Sequence, residues 1–184
     1  ADLTQPATLK EKAPDTYKVK FETTKGAFTV EVTRSLAPNG ADRFYNLVKA
    51  GYFKDIAFFR VIPGFMAQFG MHSDPKLTGI WNHANIADDP VKGSNTRGTI
   101  SFAQTSQPNS RSAQFFINFG NNSRLDQSGF APFGKVIEGM DVVDKINAEY
   151  GERPNQGEIE SQGNAYLKKE FPNLDYIKSA TILP

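Results

Sequence analysis

The sequence predicts a mainly β fold, an antiparallel barrel or sandwich with helices packed on its openings. Many short segments alternate apolar and polar residues, as half-buried strands do, whereas only two segments have clear helical spacing. The chain of 184 residues is 39% apolar, which is enough for a single core. Because it has no cysteine, disulfides, thiol catalysis and thiolate metal sites are excluded.

The first predicted elements are an extended arm and a β-hairpin. Residues 1–16 are polar, contain two prolines and show no periodicity, so we expect an N-terminal arm outside the core. A single domain is predicted over residues 17–184. It begins with YKVKFET and, after a turn at Lys25 and Gly26, continues with FTVEV; both alternate as strands of a half-buried hairpin do.

Two helices are predicted from apolar spacing. PNGADRFYNLVKAG places Phe44, Leu47 and Val48 on one helical face, and Gly51 stands where a helix usually ends. GMDVVDKINAEY has the same spacing through its apolar residues and predicts the second helix over 139–150.

Two aromatic segments between these helices predict a bent strand. GYFKDIAFFRVI and PGFMAQFG read as strands separated at Pro63 and Gly64. Alternation from Phe58 places Arg60 on the same face as Phe58 and Ile62. An arginine on such a face needs hydrogen-bond partners or access to solvent, and spacing alone does not decide between them.

The remaining segments predict further strands and a long loop. TISFAQ, AQFFINF, FGKVI and YIKSATI are strand-like, and a short helix is expected around residues 164–171 before Pro172. Residues 71–98 have few apolar residues and read as a loop, which at that length is either functional or a sign of misassignment.

Charge and hydropathy exclude two classes of partner. Lys and Arg total 21 against 20 Asp and Glu, so a net charge of +1 provides no field that would attract nucleic acid or an anionic membrane. Arg60 and Pro63 interrupt the most apolar region, so no membrane insertion is expected. The chain starts at Ala1 rather than Met, which favours a periplasmic or secreted protein over the alternative, a cytoplasmic one.

Conventional catalytic groups are scarce. His72 and His83 are the only imidazoles, and their spacing to Asp88 and Asp89 matches no common ligand pattern, so neither a metal nor a cofactor is predicted. A G-x-S-x-G elbow and a phosphate-binding P-loop lysine are both missing. A small hydrolase using either histidine remains a third hypothesis.

Three ordered segments resemble cyclophilins. FFRVIPGFMAQFG resembles that family's FHRVIPGFMIQGG-type segment, RGTISFAQTSQPNSRSAQFFINF resembles GTISMA...SQFFI, and LDQSGFAPFGKVIEGMDVVDKI resembles LD...FGKV.EGMDVVD.I. The similarity runs from about Tyr17 to Ile146 and resumes at the last strand. It implies an eight-stranded antiparallel closed β-barrel capped by two α-helices, and peptidyl-prolyl cis/trans isomerase activity.

The resemblance also implies site residues. Arg60 matches the catalytic arginine, and Gln68 matches the glutamine that holds its guanidinium. The implied catalytic residues are Arg60, Gln68, Phe65 and Phe116, and the implied substrate-binding residues are Met66, Ala103, Gln104, Gln114, Leu125 and Phe130. Phe130 is expected to fill the space of the family's pocket histidine, which has no counterpart here.

Other positions depart from the family pattern. Phe59 replaces a common histidine, and we expect an effect on packing rather than on chemistry. Arg124 replaces a tryptophan that contacts cyclosporin in many members, so cyclosporin binding is in doubt. Residues 149–175 form an extended segment, longer than the family pattern requires, that would cover the barrel or serve a partner.

The leading hypothesis is an isomerase that assists the folding of exported proteins. Its expected partners are proline-containing peptides and unfolded or folding proteins, and a monomer is expected. The alternative is a non-catalytic proline-peptide binding module or chaperone, which would bind such peptides without accelerating their isomerisation.

Overall fold

A computed structural model describes residues 2–184, in which eight strands and five α-helices form one barrel structure. In chain order the elements are β1 (Thr16–Thr23), β2 (Gly26–Thr33), α1 (Pro38–Lys49), β3 (Ile56–Ile62), β4 (Met66–Phe69), α2 (Pro75–Trp81), β5 (Thr99–Phe102), β6 (Phe115–Asn118), β7 (Gly134–Glu138), α3 (Met140–Asp144), α4 (Gln156–Gln162), α5 (Asn164–Glu170) and β8 (Tyr176–Ile182). The barrel order is β1-β2-β7-β5-β6-β4-β3-β8, and β8 pairs back with β1. The predicted closed antiparallel barrel with helices is confirmed.

The barrel interior is packed with phenylalanine rings. Phe21 and Phe28 stack across the β1–β2 hairpin with centroids 4.9 Å apart. From α1, Phe44 inserts among them, 5.3 Å from Phe115 and 5.1 Å from Phe133. Aromatic side chains bury large apolar areas, so the unusual phenylalanine content serves the core.

Helix α1 receives its N-terminal cap from a distant loop. Ala37 precedes the helix and has no side-chain acceptor. The Asp89 carboxylate accepts hydrogen bonds from the backbone N–H groups of Asn39 (3.1 Å) and Gly40 (2.9 Å) instead. This contact satisfies N–H groups that no turn of the helix can reach. The predicted end at Gly51 is confirmed, with φ of +77° at that residue.

The segment predicted as a loop contains a helix, α2, that the sequence pattern did not predict. It lies within residues 71–98, where Asp74 caps its start by accepting from the Lys76 N–H at 3.0 Å. Its buried residues are only Thr78 and Trp81. Leu77, Ile80 and Trp81 pack on the core at helical spacing, but the helix has only seven residues. Over two turns this spacing does not stand out from the polar sequence around it.

The predicted second helix was too long. Helix α3 ends at Asp144, not at residue 150. Beyond it, the N–H of Asn147 donates to the carboxylate of Asp175 at 2.7 Å rather than to a helical carbonyl. A contact with a residue far along the chain therefore ends this helix, and a local pattern does not contain that information.

A β-bulge in β3 corrects the predicted position of Arg60. Phe58 pairs with Phe69, and Arg60 pairs with Gln68. Between these two pairs β3 therefore contains one residue more than β4. The Phe58 and Phe69 rings meet in the barrel core with centroids 5.3 Å apart, while Arg60 lies with Gln68 on the outer face. The prediction that Arg60 shares a face with Phe58 was wrong, because the extra residue reverses the alternation.

A second apolar cluster lies outside the barrel. Its barrel side includes Ala57 and Phe59, and Ile159 of α4 and Leu167 of α5 cover them. Phe59 is 1% exposed. The extended segment thus covers one outer face of the barrel, and Phe59 supplies the apolar surface that it needs.

Replacing Phe59 by His is expected to destabilise the protein by about 2 kcal/mol, because a polar ring would be buried among apolar side chains. Urea unfolding monitored by circular dichroism measures the change. The control Phe59→Leu, which stays apolar, should cost about 1 kcal/mol. Equal losses in both variants would contradict this explanation.

The described N-terminal residues lie along α1. The N–H of Ala13 donates to Asp42 at 2.9 Å, and Glu11 exchanges backbone hydrogen bonds with the side-chain amide of Asn46. Ala13 is buried. No helix within residues 2–184 combines the length and apolar character needed to cross a bilayer.

Candidate active site

Three neighbouring strands bring the predicted site residues into one row. The register pairs Arg60 of β3 with Gln68 of β4, and Gln68 with Phe116 of β6. Met66 lies two residues before Gln68 and therefore on the same face of β4. Because backbone pairing fixes all three strands, the row is held by rigid elements rather than by loops.

Amide side chains connect the arginine to the far side of the row. Arg60 Nη1 donates to Gln68 Oε1 at 3.2 Å, and Gln68 Nε2 donates to Gln114 Oε1 at 3.0 Å. Gln68 is 7% exposed, whereas the Arg60 side chain is 30% exposed. The buried amide therefore orients a charge that remains accessible from solvent.

A carboxylate also contacts Arg60, and no sequence pattern predicts this contact. Glu152 Oε2 accepts from both Nε and Nη2 of Arg60, each at 3.1 Å. Glu152 follows Arg60 by 92 residues and lies in the extended segment. Since no motif links the two positions, only the folded chain reveals the pair.

The row forms part of a cavity of about 450 Å³. All ten residues implied by the resemblance line it: Arg60, Phe65, Met66, Gln68, Ala103, Gln104, Gln114, Phe116, Leu125 and Phe130. Further lining residues, which the sequence reasoning missed, are Asn82, Thr105, Ser110, Ser112 and Gln156. Grouping these side chains in one cavity does not test their individual roles, which remain predictions.

The apolar end of the cavity is built from aromatic rings and a thioether. Phe116 and Met66 are 5% and 2% exposed, and the Phe130 ring meets Phe116 edge-on with centroids 5.6 Å apart. Arg124 lies over the Phe65 ring, 5.3 Å from its centroid. This end can hold a small saturated ring, with a cation at its rim.

A polar network around the buried Asn95 fixes the wall that carries Leu125. The 3₁₀ turn Ser123–Asp126 is tied down by Asp126, whose carboxylate accepts from Ser94 Oγ at 2.6 Å and from the N–H and Nδ2 of Asn95 at 2.8 Å each. Asn95 also donates to the Phe130 carbonyl at 2.9 Å. The same asparagine therefore anchors both ends of this wall.

Acid is expected to weaken this anchor. Burial raises the pKa of Asp126, but the hydrogen bonds from Ser94 and Asn95 outweigh it and leave the pKa below the ordinary value of 3.8. A carboxyl whose folded-state pKa is lowered stabilises the protein above its unfolded-state pKa, and this contribution is lost as the pH falls through the folded-state value. The wild type should thus be more stable than Asp126→Asn at pH 7.

Urea unfolding of both proteins at pH 7 and at stepwise lower pH checks this expectation. The difference in midpoint should shrink only below about pH 4, where the carboxyl binds its proton. A difference that is constant down to pH 2 would show that the Asp126 charge does not stabilise the wall.

The histidines lie outside this cavity lining. His72 is 8% exposed, its Nδ1 accepts from the Asp74 N–H at 2.9 Å, and its ring contacts Tyr52. Burial lowers the pKa of His72, which fits a structural ring. His83 does not line the cavity either. Within residues 2–184, no group of three or more His, Asp or Glu side chains could hold a metal.

Comparisons with known proteins agree with the geometry. Residues 18–164 match the family described as "Cyclophilin type peptidyl-prolyl cis-trans isomerase/CLD". A peptidyl-prolyl cis-trans isomerase of Acinetobacter baylyi is 42% identical over 136 residues, which is 70% of each chain. Peptidyl-prolyl cis-trans isomerase B of Escherichia coli is 36% identical over 136 residues, 70% of this chain and 82% of the relative.

Solved structures share the fold. A cyclophilin type peptidyl-prolyl cis-trans isomerase of Cryptosporidium parvum superposes with a TM-score of 0.69 at 23% identity, over 92% of this chain and 98% of that one. A cyclophilin of Hirschia baltica gives a TM-score of 0.67 at 22% identity, over 92% and 74% of the two chains. At this identity the structural matches carry the fold alone.

Proposed function

Because this chain belongs to the family of cyclophilin-type peptidyl-prolyl cis-trans isomerases, we propose that it isomerises X-Pro peptide bonds in its cavity with Arg60 as the catalytic residue. It is a peptidyl-prolyl cis-trans isomerase, and proline-containing peptides and proteins are its substrates. The observation that carries the catalytic assignment is the guanidinium of Arg60, held by Gln68 beside an apolar cavity.

The reaction needs no nucleophile. The amide C–N bond resists rotation because nitrogen donates its lone pair to the carbonyl, which gives a barrier of about 18–20 kcal/mol. Rotation breaks no covalent bond, so the enzyme must only favour the twisted state. At the top of the barrier the conjugation is lost, and the prolyl nitrogen carries a free lone pair.

Arg60 is suited to that nitrogen. A donor directed at the lone pair stabilises the twisted state more than either planar state, and this difference accelerates rotation. A guanidinium has several N–H groups in one plane. Nε and Nη2 donate to Glu152, and Nη1 donates to Gln68 and, at 4.0 Å, to Met66 Sδ. The second hydrogen of Nη2 has no partner within residues 2–184, and the long contact of Nη1 with sulfur can be exchanged for one with substrate.

The remaining lining residues would position the substrate. Phe65, Met66, Phe116 and Leu125 would enclose the proline ring, and Ala103, Gln104 and Gln114 would bind the peptide before it. Gln104 Oε1 is buried without a hydrogen-bond partner within residues 2–184. If the side chain reorients, this oxygen can accept a hydrogen bond from a peptide N–H of the substrate.

Turnover by the wild type tests the function directly. The cis-to-trans rate of a short X-Pro peptide, measured by a protease-coupled assay or by NMR exchange, should rise in proportion to the enzyme concentration. Saturable peptide binding without any acceleration would favour the binding-module alternative instead.

The finer assignments are also proposals. We propose a monomer that assists folding of exported proteins in the periplasm, supported by the bacterial character of FFINFGNNSRLD. Cell fractionation with an antibody tests the compartment, and light scattering tests the oligomeric state.

Weak inhibition by cyclosporin is proposed as well. Arg124 places a solvated cation at the rim, where an apolar drug would need an aromatic surface. An inhibition titration of the peptide assay checks this; complete inhibition at nanomolar drug would contradict it.

A further inference from the structure

We propose that Glu152 is a positioning residue for the isomerase reaction, holding the outer edge of the Arg60 guanidinium so that its remaining N–H groups face the cavity. This inference rests on the proposed catalytic function of Arg60. It also gives the extended segment a role in the reaction, since Glu152 and the cavity-lining Gln156 both lie in it.

Two opposite contacts fix the plane of the guanidinium. Gln68 accepts from Nη1 at 3.2 Å, and Glu152 accepts from Nε and Nη2 at 3.1 Å each. With Gln68 as its only partner, the guanidinium could rotate about a single hydrogen bond, because an arginine side chain has many rotamers. With both contacts, the guanidinium is held from two sides, and small errors in the position of a catalytic group reduce the rate.

The backbone around Glu152 is itself fixed to β3. The carbonyl of Gly151 accepts from the N–H of Val61, the neighbour of Arg60, at 3.2 Å. Gly151 has φ of +56°, which favours glycine. On the other side, the Arg153 N–H donates to the Tyr150 carbonyl at 3.0 Å. The carboxylate is therefore presented to Arg60 by an ordered turn, unlike one end of an isolated surface ion pair.

A carboxylate also has an opposing effect, because its negative charge lowers the positive potential that Arg60 presents to the substrate. The Glu152 side chain is 66% exposed, so water screens this effect strongly. The hydrogen bonds that orient the guanidinium do not depend on the long-range potential. Orientation should therefore outweigh charge compensation.

Two substitutions separate these effects. Glu152→Ala removes both the hydrogen bonds and the charge, whereas Glu152→Gln removes the charge and keeps an oxygen acceptor. Positioning predicts that Glu152→Ala lowers kcat about threefold to fivefold with KM little changed, and that Glu152→Gln stays within about twofold of wild type. The matched control Glu160→Ala removes a carboxylate of the same segment that makes no hydrogen bond or ion pair within residues 2–184, and should leave the rate unchanged.

The Arg60 Nε–H resonance gives a readout independent of turnover. In ¹⁵N NMR, the exchange of the Nε proton with water should be faster in Glu152→Ala and should remain slow in Glu152→Gln. In the background of Arg60→Ala, adding Glu152→Ala should cause no further loss of rate, because Glu152 acts through that arginine.

The outcomes distinguish this inference from the function on which it rests. An active wild type whose rate and Nε–H exchange are both unchanged in Glu152→Ala would overturn the inference alone. Faster turnover in both Glu152 variants would also overturn it, in favour of charge compensation. A wild type without isomerase activity would overturn the proposed function and, with it, the role of Glu152.

Discussion

Replacing Arg60 by Ala is expected to lower kcat/KM for an X-Pro peptide about 100-fold to 1000-fold, the loss seen when one preorganised donor to a developing charge is removed. The fold should remain intact, because the side chain lies on the outer face of the barrel and is 30% exposed. The planar state of the peptide bond gains little from this donor, so kcat should fall more than KM rises.

The same peptide assay, with circular dichroism as a check of folding, measures this loss. Arg60→Lys should also lose most of the activity, because a point charge cannot make the contacts with Gln68 and Glu152 while presenting further donors. Arg124→Ala is the matched control. It removes an equal charge from the cavity rim and should change the rate less than about threefold, since Arg124 contacts a ring and no carboxylate within residues 2–184. Near-normal turnover of Arg60→Ala would refute the mechanism.

Replacing Gly70 by Ala is expected to cost about 3–5 kcal/mol of stability. Gly70 follows β4 with φ of +123°, a conformation that an alanine adopts only under strain. A Cβ there would lie 2.2 Å from the carbonyl oxygen of Ala113 and 2.7 Å from the Cα of Gln114. Both are backbone atoms, so the segment that leads into β6 would have to move away from β4.

Urea unfolding at neutral pH measures this change, and Gly51→Ala is its control. Gly51 also has positive φ, +77°, but a Cβ there meets nothing within 4 Å. The variant Gly51→Ala should therefore lose only about 1 kcal/mol of stability, which is the cost of the backbone conformation alone. Similar losses in both variants would mean that the close approach to Ala113 is relieved easily.

The strands of the barrel can be predicted from the sequence because each has its own alternation of apolar and polar residues. Alternation in the first hairpin and the segment YIKSATI place strands where the structure has them, and Gly51 marks the end of α1. The cavity residues became predictable through the ordered segments that resemble cyclophilins. Spacing by itself left Arg60 undecided.

What the sequence did not predict depends on contacts between distant residues. The bulge in β3 turns Arg60 to the outer face, and no local signal distinguishes it from a regular strand. Glu152 meets Arg60 only after the extended segment folds over Phe59. Helix α3 stops early because Asp175 takes the N–H of Asn147. The bulge arises within the pairing of β3 with β4, whereas in the other two cases a partner far along the chain decides the local geometry.

The circular pairing of the strands restricts how a proline-containing client can be held. With β8 joined to β1, the barrel offers no open row of backbone N–H and C=O groups along which an extended polypeptide could add as another strand. A client must then be recognised through a few side chains over a short stretch, so it should be released quickly and with little regard to the rest of its sequence.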